Sequence, residues 1–125
     1  GALGLIMYGF ILLSYLMLIQ FNVQEPYKSQ ILSGQKTVEG RLNKGKFWSL
    51  KIGDILQFDD TGEQVKVVNL TLYPSFQEMF VSEGLKHIVP DIKTIEQGIA
   101  VYRKFYSIEQ EKEFWVIAIE MKKEE

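Results

Sequence analysis

The chain contains no cysteine and a single histidine, His87. Without cysteine there is no disulfide framework, no thiolate nucleophile and no sulfur ligand for zinc. That absence is compatible with a reducing compartment without establishing one. One histidine with no cysteine beside it argues against a structural zinc site. A serine triad would have to use His87, and no G-x-S-x-G elbow accompanies it. The segment Leu85 to Pro90, which carries His87, reads as a loop. An excess of charge of one sign is also missing: the net charge is −2, which argues against indiscriminate binding to long duplexes. Before Glu25 there is no charged residue at all.

The uncharged stretch Gly1 to Gln20 is long enough to span a bilayer. It lacks a Lys or Arg flank on its N-terminal side and an Ala-x-Ala cleavage site, so a membrane span is not expected. Its last part reads as a first strand, Leu18 to Val23, in which apolar and polar residues alternate. Residues 1–16 are therefore assigned to an apolar N-terminal extension (a tag, an extension or an anchor) and residues 17–125 to one domain. Self-association through residues 1–16 and attachment to a membrane through residues 1–20 stay open beside an expected cytoplasmic location.

What is present is an uneven distribution of charge. Lys28, Lys36, Arg41, Lys44, Lys46 and Lys51 face one acid, Glu39, within residues 28–51. The segment from Ser107 onward is acidic, and a locally basic patch on a mildly acidic chain suits a compact anionic ligand. The centre of that patch is Gly34-Gln35-Lys36-Thr37-Val38-Glu39-Gly40-Arg41. In a strand Lys36, Val38 and Gly40 would point one way and Thr37, Glu39 and Arg41 the other. A bend at Gly34 or Gly40 brings Lys36 and Arg41 together around Glu39. Such a cluster holds an anion, or lowers the Lys36 pKa so that it acts as a base. The competing reading is an exposed strand edge whose charges are merely solvated.

The rest of the chain alternates short elements. Glu25-Pro26 opens a helix with Tyr27, Ile31 and Leu32 inward, and Gly34 ends it. Asn43 to Lys46 is a turn, and Trp48 is read as a core anchor in preference to a stacking surface. Ile55 to Phe58 and Glu63 to Tyr73 form a hairpin across Asp59-Asp60-Thr61-Gly62. Val65, Val67, Leu70 and Leu72 are its core candidates, with a bulge after Val68. Ser75-x-x-Glu78 and Thr94-x-x-Gln97 cap helices over about 76–84 and 95–106. Phe114 to Met121 is apolar on both faces and is expected to be a central strand, with Trp115 sharing a face with Ile117 and Ile119. The class that results is α+β: a small, mostly antiparallel β-barrel flanked by two to three helices.

Taken together, these blocks resemble the ASCH domain of the PUA-like superfamily. The octapeptide matches the family's G-x-K-x-x-E-x-R. Ile52 to Phe58, Tyr73-Pro74-Ser75-Phe76-Gln77-Glu78-Met79-Phe80, Glu96 to Tyr106 and the closing strand follow in the family's order. The resemblance covers about residues 17–125. It implies a barrel with a cleft beside the octapeptide, a role in RNA metabolism or transcription regulation, and neither a metal nor an organic cofactor. The expected partner is RNA or a nucleotide-like ligand. Lys36 and Arg41 would meet phosphate, Glu39 would accept from a base amino group, and Tyr73, Ser75, Tyr102 and Tyr106 complete the expected ligand-binding set. One branch of the family hydrolyses acetylcytidine with the motif lysine, a threonine three residues later and a distant glutamate. Lys36 matches the lysine, Glu39 stands where the threonine would be, and Glu83 is the candidate for the distant acid. A nucleoside amidohydrolase with Lys36, Glu39 and Glu83 as catalytic groups is thus the alternative to a binding domain.

Overall fold

In a computed structural model, residues 16–124 are described; the expected extension over residues 1–16, with the self-association through it and the membrane attachment through residues 1–20, falls mostly on residues 1–15, which lie outside them. Five strands, β1 (Leu18–Phe21), β2 (Val38–Leu42), β3 (Ile55–Phe58), β4 (Gln64–Tyr73) and β5 (Val116–Lys123), form one sheet in the order β1-β3-β4-β5-β2. β1 pairs with β3 in parallel and the other pairings are antiparallel. The sheet is mixed and not closed, so the expected barrel is only partly realised. β1 and β2 lie at the two edges, and a side chain joins them: Arg41 Nη2 donates to Asn22 O at 2.7 Å.

β5 is the central strand that its sequence predicted, bonded to β4 on one side and to β2 on the other. Its alternation feeds two cores. Ile117, Ile119 and Met121 join Phe21, Leu56, Phe58, Val65 and Val67 in one cluster. Val116 and Ala118 join Val38, Leu42, Phe76, Met79, Phe80 and Tyr102 in the other. Phe21 and Phe58 are fully buried and stack at 4.9 Å; burial of each contributes roughly 1.5–3 kcal/mol. The expected bulge in β4 falls between Val67 and Asn69. Beyond it Leu72 is half-exposed, so it is not a core residue.

Among the described residues, five helices accompany the sheet. They are α1 (Tyr27–Ser33), α2 (Phe76–Glu83), the single-turn α3 (Leu85–Ile88), α4 (Ile95–Arg103) and α5 (Ile108–Phe114). Gly34 closes α1 in the left-handed conformation, φ 86°, with its N–H donating to Ile31 O, an arrangement glycine adopts without steric cost. Ser75 and Thr94 cap α2 and α4 by accepting from the N–H groups of Glu78 and Gln97. The expected long helix to about Tyr106 stops at Arg103, and α5 follows behind a reciprocal Ser107–Gln110 capping box. His87 sits in α3 and not in a loop. No helix among the described residues is long and apolar enough to cross a membrane.

Both tryptophans depart from expectation. Trp48 follows the 3-10 turn Gly45–Phe47 and is 73% exposed; Phe47 and Leu50 fill the core in its place. Trp115 does not belong to β5. It is exposed and links α5 directly to β5 at φ 64°, ψ −179°, a region that side-chain-bearing residues enter only under strain. Its N–H donates to Glu111 O and its carbonyl accepts from Asn43 N–H, which pins the turn at both ends.

Candidate functional site

The chain leaves α1 at Gly34 and is tied down before β2 begins. Lys36 N–H donates to Gln30 O, Thr37 N–H donates to His87 O, and Met121 N–H donates to Thr37 O. Because the strand starts only at Val38, strand alternation governs Glu39 and Arg41 but not Lys36. The Lys36 side chain instead folds back and is 2% exposed. Its Nζ donates to Val38 O at 2.8 Å and to Ile88 O at 2.6 Å, and lies 3.3 Å from Glu39 Oε1. These three acceptors match the three donors of an ammonium.

Glu39 is the hub. Its Oε1 accepts from Gly40 N–H at 2.9 Å and from Tyr102 Oη at 2.7 Å, and its Oε2 accepts from Arg41 Nη2 at 3.3 Å. Burial pushes its carboxyl up, but Lys36, Arg41 and the Tyr102 hydroxyl outweigh burial and hold it down at about 2. Burial pulls the Lys36 ammonium below its usual range, opposed by Glu39. Burial, reinforced by the Glu39 carboxylate, keeps the Tyr102 phenol well above its usual value, so it stays a donor. Gly40 lets the helices approach β2: a Cβ there would meet Met79 Sδ at 2.7 Å and Tyr102 Oη at 3.4 Å.

Glu39 and Arg41 line a cavity of about 240 Å³, together with Asn22, Gln24, Tyr27, Gly40, Tyr102, Phe105 and Tyr106. The cavity lies where the two sheet edges come together, between the end of β1, the start of α1, β2 and the C-terminal part of α4. The Arg41 guanidinium is flanked by the rings of Phe21 and Phe47, 5.8 and 5.3 Å from their centroids. Tyr102 and Tyr106 both stack on Phe76, at 4.6 and 5.7 Å, so their rings are set by packing. Lys36 does not line the cavity; it lies behind Glu39.

The structure therefore brings together Lys36, Glu39, Arg41, Tyr102 and Tyr106. It sets the other candidates apart. Tyr73 Oη donates to the Glu83 carboxylate, and Ser75 caps α2; none of Tyr73, Ser75 and Glu83 lines the cavity. Tyr27, expected only as a core-facing helix residue, and Phe105 line the cavity, and neither was among the candidate ligand-binding residues. For Tyr27 the available signal was its place on the first turn of the helix before the octapeptide. For Phe105 it was the succession of aromatic residues Tyr102, Phe105 and Tyr106. Among the described residues no group of acidic or histidine side chains is arranged to hold a metal ion.

This architecture is that of a PUA-like fold. The family model for the ASCH domain matches residues 21–125, and the chain belongs to that family. The hypothetical protein PH0355 is 39% identical, with a TM-score of 0.82 over 87% of this chain and 100% of that one. Protein PF0455 from Pyrococcus furiosus is 39% identical, with a TM-score of 0.76 over 87% of this chain and 99% of its own. A point mutant of the ZmASCH protein from Zymomonas mobilis shares the fold at 13% identity, with a TM-score of 0.58, covering 84% of this chain and 68% of that one. No curated protein sequence matches the chain.

Proposed function

We propose that the protein is an RNA- or nucleotide-binding ASCH domain, acting in RNA metabolism or transcription regulation, whose cavity takes a single nucleotide unit. One observation carries this reading: an ionised carboxylate and a guanidinium stand side by side on the wall of an aromatic-lined cavity. Glu39 offers an acceptor for a base amino group. Arg41 offers donors for an anionic oxygen, and Tyr27 or Tyr106 offers a ring face. At about 240 Å³ the cavity is smaller than the roughly 300–1,000 Å³ usual for drug-sized ligands. It suits one base or nucleoside and not a folded RNA element.

The hydrolytic alternative asks for a neutral Lys36 amine with a free lone pair. With all three ammonium donors directed at acceptors, the geometry supports an anchoring cation in preference to a base. The test is a fluorescence titration of short single-stranded RNAs across salt concentrations, with Arg41→Ala and Tyr106→Ala as variants. Binding that weakens with salt and drops about tenfold or more in each variant supports the reading. Affinity unchanged by both substitutions would sink it. Conversion of acetylcytidine by the wild-type chain, lost in Lys36→Ala, would favour the enzyme.

A further inference from the structure

A second hollow, of about 220 Å³, adjoins the cavity and shares Arg41 and Tyr106 with it. Its other walls include Lys44, Lys46 and Phe47. Three cations thus converge on one depression. Among the described residues, the carboxylate paired with any of them is Glu39, on Arg41, and Glu39 is already shared with Lys36. The Lys44 ammonium rests 4.9 Å from the Phe114 ring centroid, and Lys46 Nζ donates to Gln20 O. Arg41 makes both of its hydrogen bonds through Nη2, leaving Nη1 and Nε without a partner among the described residues. In a chain of net charge −2, positive charge gathered in a concave spot without matching acids is a site for an anion. The turn itself serves the convergence. Gly45 sits at φ 59°, a conformation that favours glycine, and sets Lys44 and Lys46 on either side of the reversal.

We propose that this second hollow is a phosphate subsite. A nucleotide whose base fills the aromatic cavity places its phosphate among Arg41, Lys44 and Lys46. The inference rests on the nucleotide reading of the cavity and deepens it. Arg41 stands at the junction, with Nη2 held by Glu39 and Asn22 and its remaining donors left for a phosphate oxygen. The ligand class that follows is a nucleoside monophosphate or a strand containing one, in preference to a free nucleoside.

The experiment is calorimetric titration of the full chain with the four nucleosides and with their 3′- and 5′-monophosphates. At least one monophosphate is expected to bind about tenfold or more tightly than its nucleoside, and that margin should shrink as salt is added. In Lys44→Gln/Lys46→Gln, whose substituted side chains are exposed, the margin should fall to about twofold while nucleoside affinity and melting temperature stay as in the wild type. Equal affinity of nucleosides and monophosphates for the wild type, or a margin retained in the double variant, overturns the subsite and leaves the cavity reading standing. Absence of binding by every nucleoside and monophosphate overturns the cavity reading, and the subsite with it.

Discussion

Lys36 and Arg41 are two cations on one carboxylate, yet they occupy different worlds. Lys36 is sealed behind Glu39, with two backbone carbonyls and one carboxylate oxygen around its ammonium. Arg41 reaches the cavity wall, holds the sheet edges together through Asn22 and keeps two nitrogens in reserve. The comparison teaches that a G-x-K-x-x-E-x-R pattern can combine a sealed internal anchor with a cation that reaches a cavity wall. Lys36 ties the approach to β2 to α3 by way of Ile88 O, and the hydrogen bonds it makes help to fix Glu39. Arg41 is oriented by the carboxylate thus fixed. Charge of the same sign is sealed inside in one case and presented to the cavity in the other.

The sharpest way to break this comparison is Lys36→Met, which keeps most of the volume and removes the ammonium. It leaves Val38 O and Ile88 O without their donor and Glu39 without one counter-charge. Removing one partner of a buried ion pair costs about 3–5 kcal/mol, a large share of the roughly 5–15 kcal/mol that holds a domain folded. Chemical denaturation should show that loss. The double variant Lys36→Met/Glu39→Gln should recover part of it, because the orphaned charge is gone. A Lys36→Met protein as stable as the wild type would mean that Lys36 is not an anchor.

Acid probes the same pair from the other partner. The Glu39 carboxyl, at about 2 in the folded protein against an ordinary 4.5, is depressed by folding. Its contribution to stability is therefore fully present above about pH 4.5 and is lost as pH falls from there toward 2. The size is about 3 kcal/mol. Denaturation midpoints between pH 6 and pH 2.5 should fall more steeply for the wild type than for Glu39→Gln, and parallel curves would contradict the assignment. Arg41→Ala should cost less, about 1–2 kcal/mol, because it removes a partly exposed ion pair and contact with two rings. Its effect on nucleotide binding should exceed its effect on stability, the reverse of the pattern for Lys36→Met.

How much of this was legible in the sequence follows from which forces were local. The caps at Ser75 and Thr94, the stop at Gly34, the bulge in β4 and the centrality of β5 are written in residues a few positions apart, and each appears in the structure. The meeting of Lys36, Glu39 and Arg41 was legible because all three lie within six positions of one another. The sealing of Lys36 was not, because its acceptor on Ile88 is 52 residues away. The exposure of Trp48 and Trp115 was not legible either. An aromatic residue beside an apolar run reads as core, and only the tertiary path shows that Phe47 and Leu50 take the inner space while Trp115 turns the corner from α5. The helix α5 was not expected, although Ser107-x-x-Gln110 has the spacing of the capping box that opens it.

The smallest effect that still discriminates is that of Tyr102→Phe. The ring stays stacked on Phe76 and tilted against Phe80, so packing is conserved and only a hydroxyl is lost. That hydroxyl donates to Glu39 Oε1 and accepts weakly from Gly40 N–H at 3.3 Å. Oε1 keeps the Gly40 N–H and the Lys36 ammonium as partners, so the carboxylate is weakened and not orphaned, and the cost should be about 1 kcal/mol. Since the hydroxyl also helps to hold the Glu39 carboxyl down, its removal should shift the acid limb of the stability curve toward higher pH. If Glu39 is set chiefly from behind, by Lys36, nucleotide affinity in Tyr102→Phe should stay within about threefold of the wild type while the acid limb moves. A collapse of affinity with an unmoved acid limb would show instead that the Tyr102 hydroxyl meets the ligand itself, and that Glu39 takes its orientation from the cavity side.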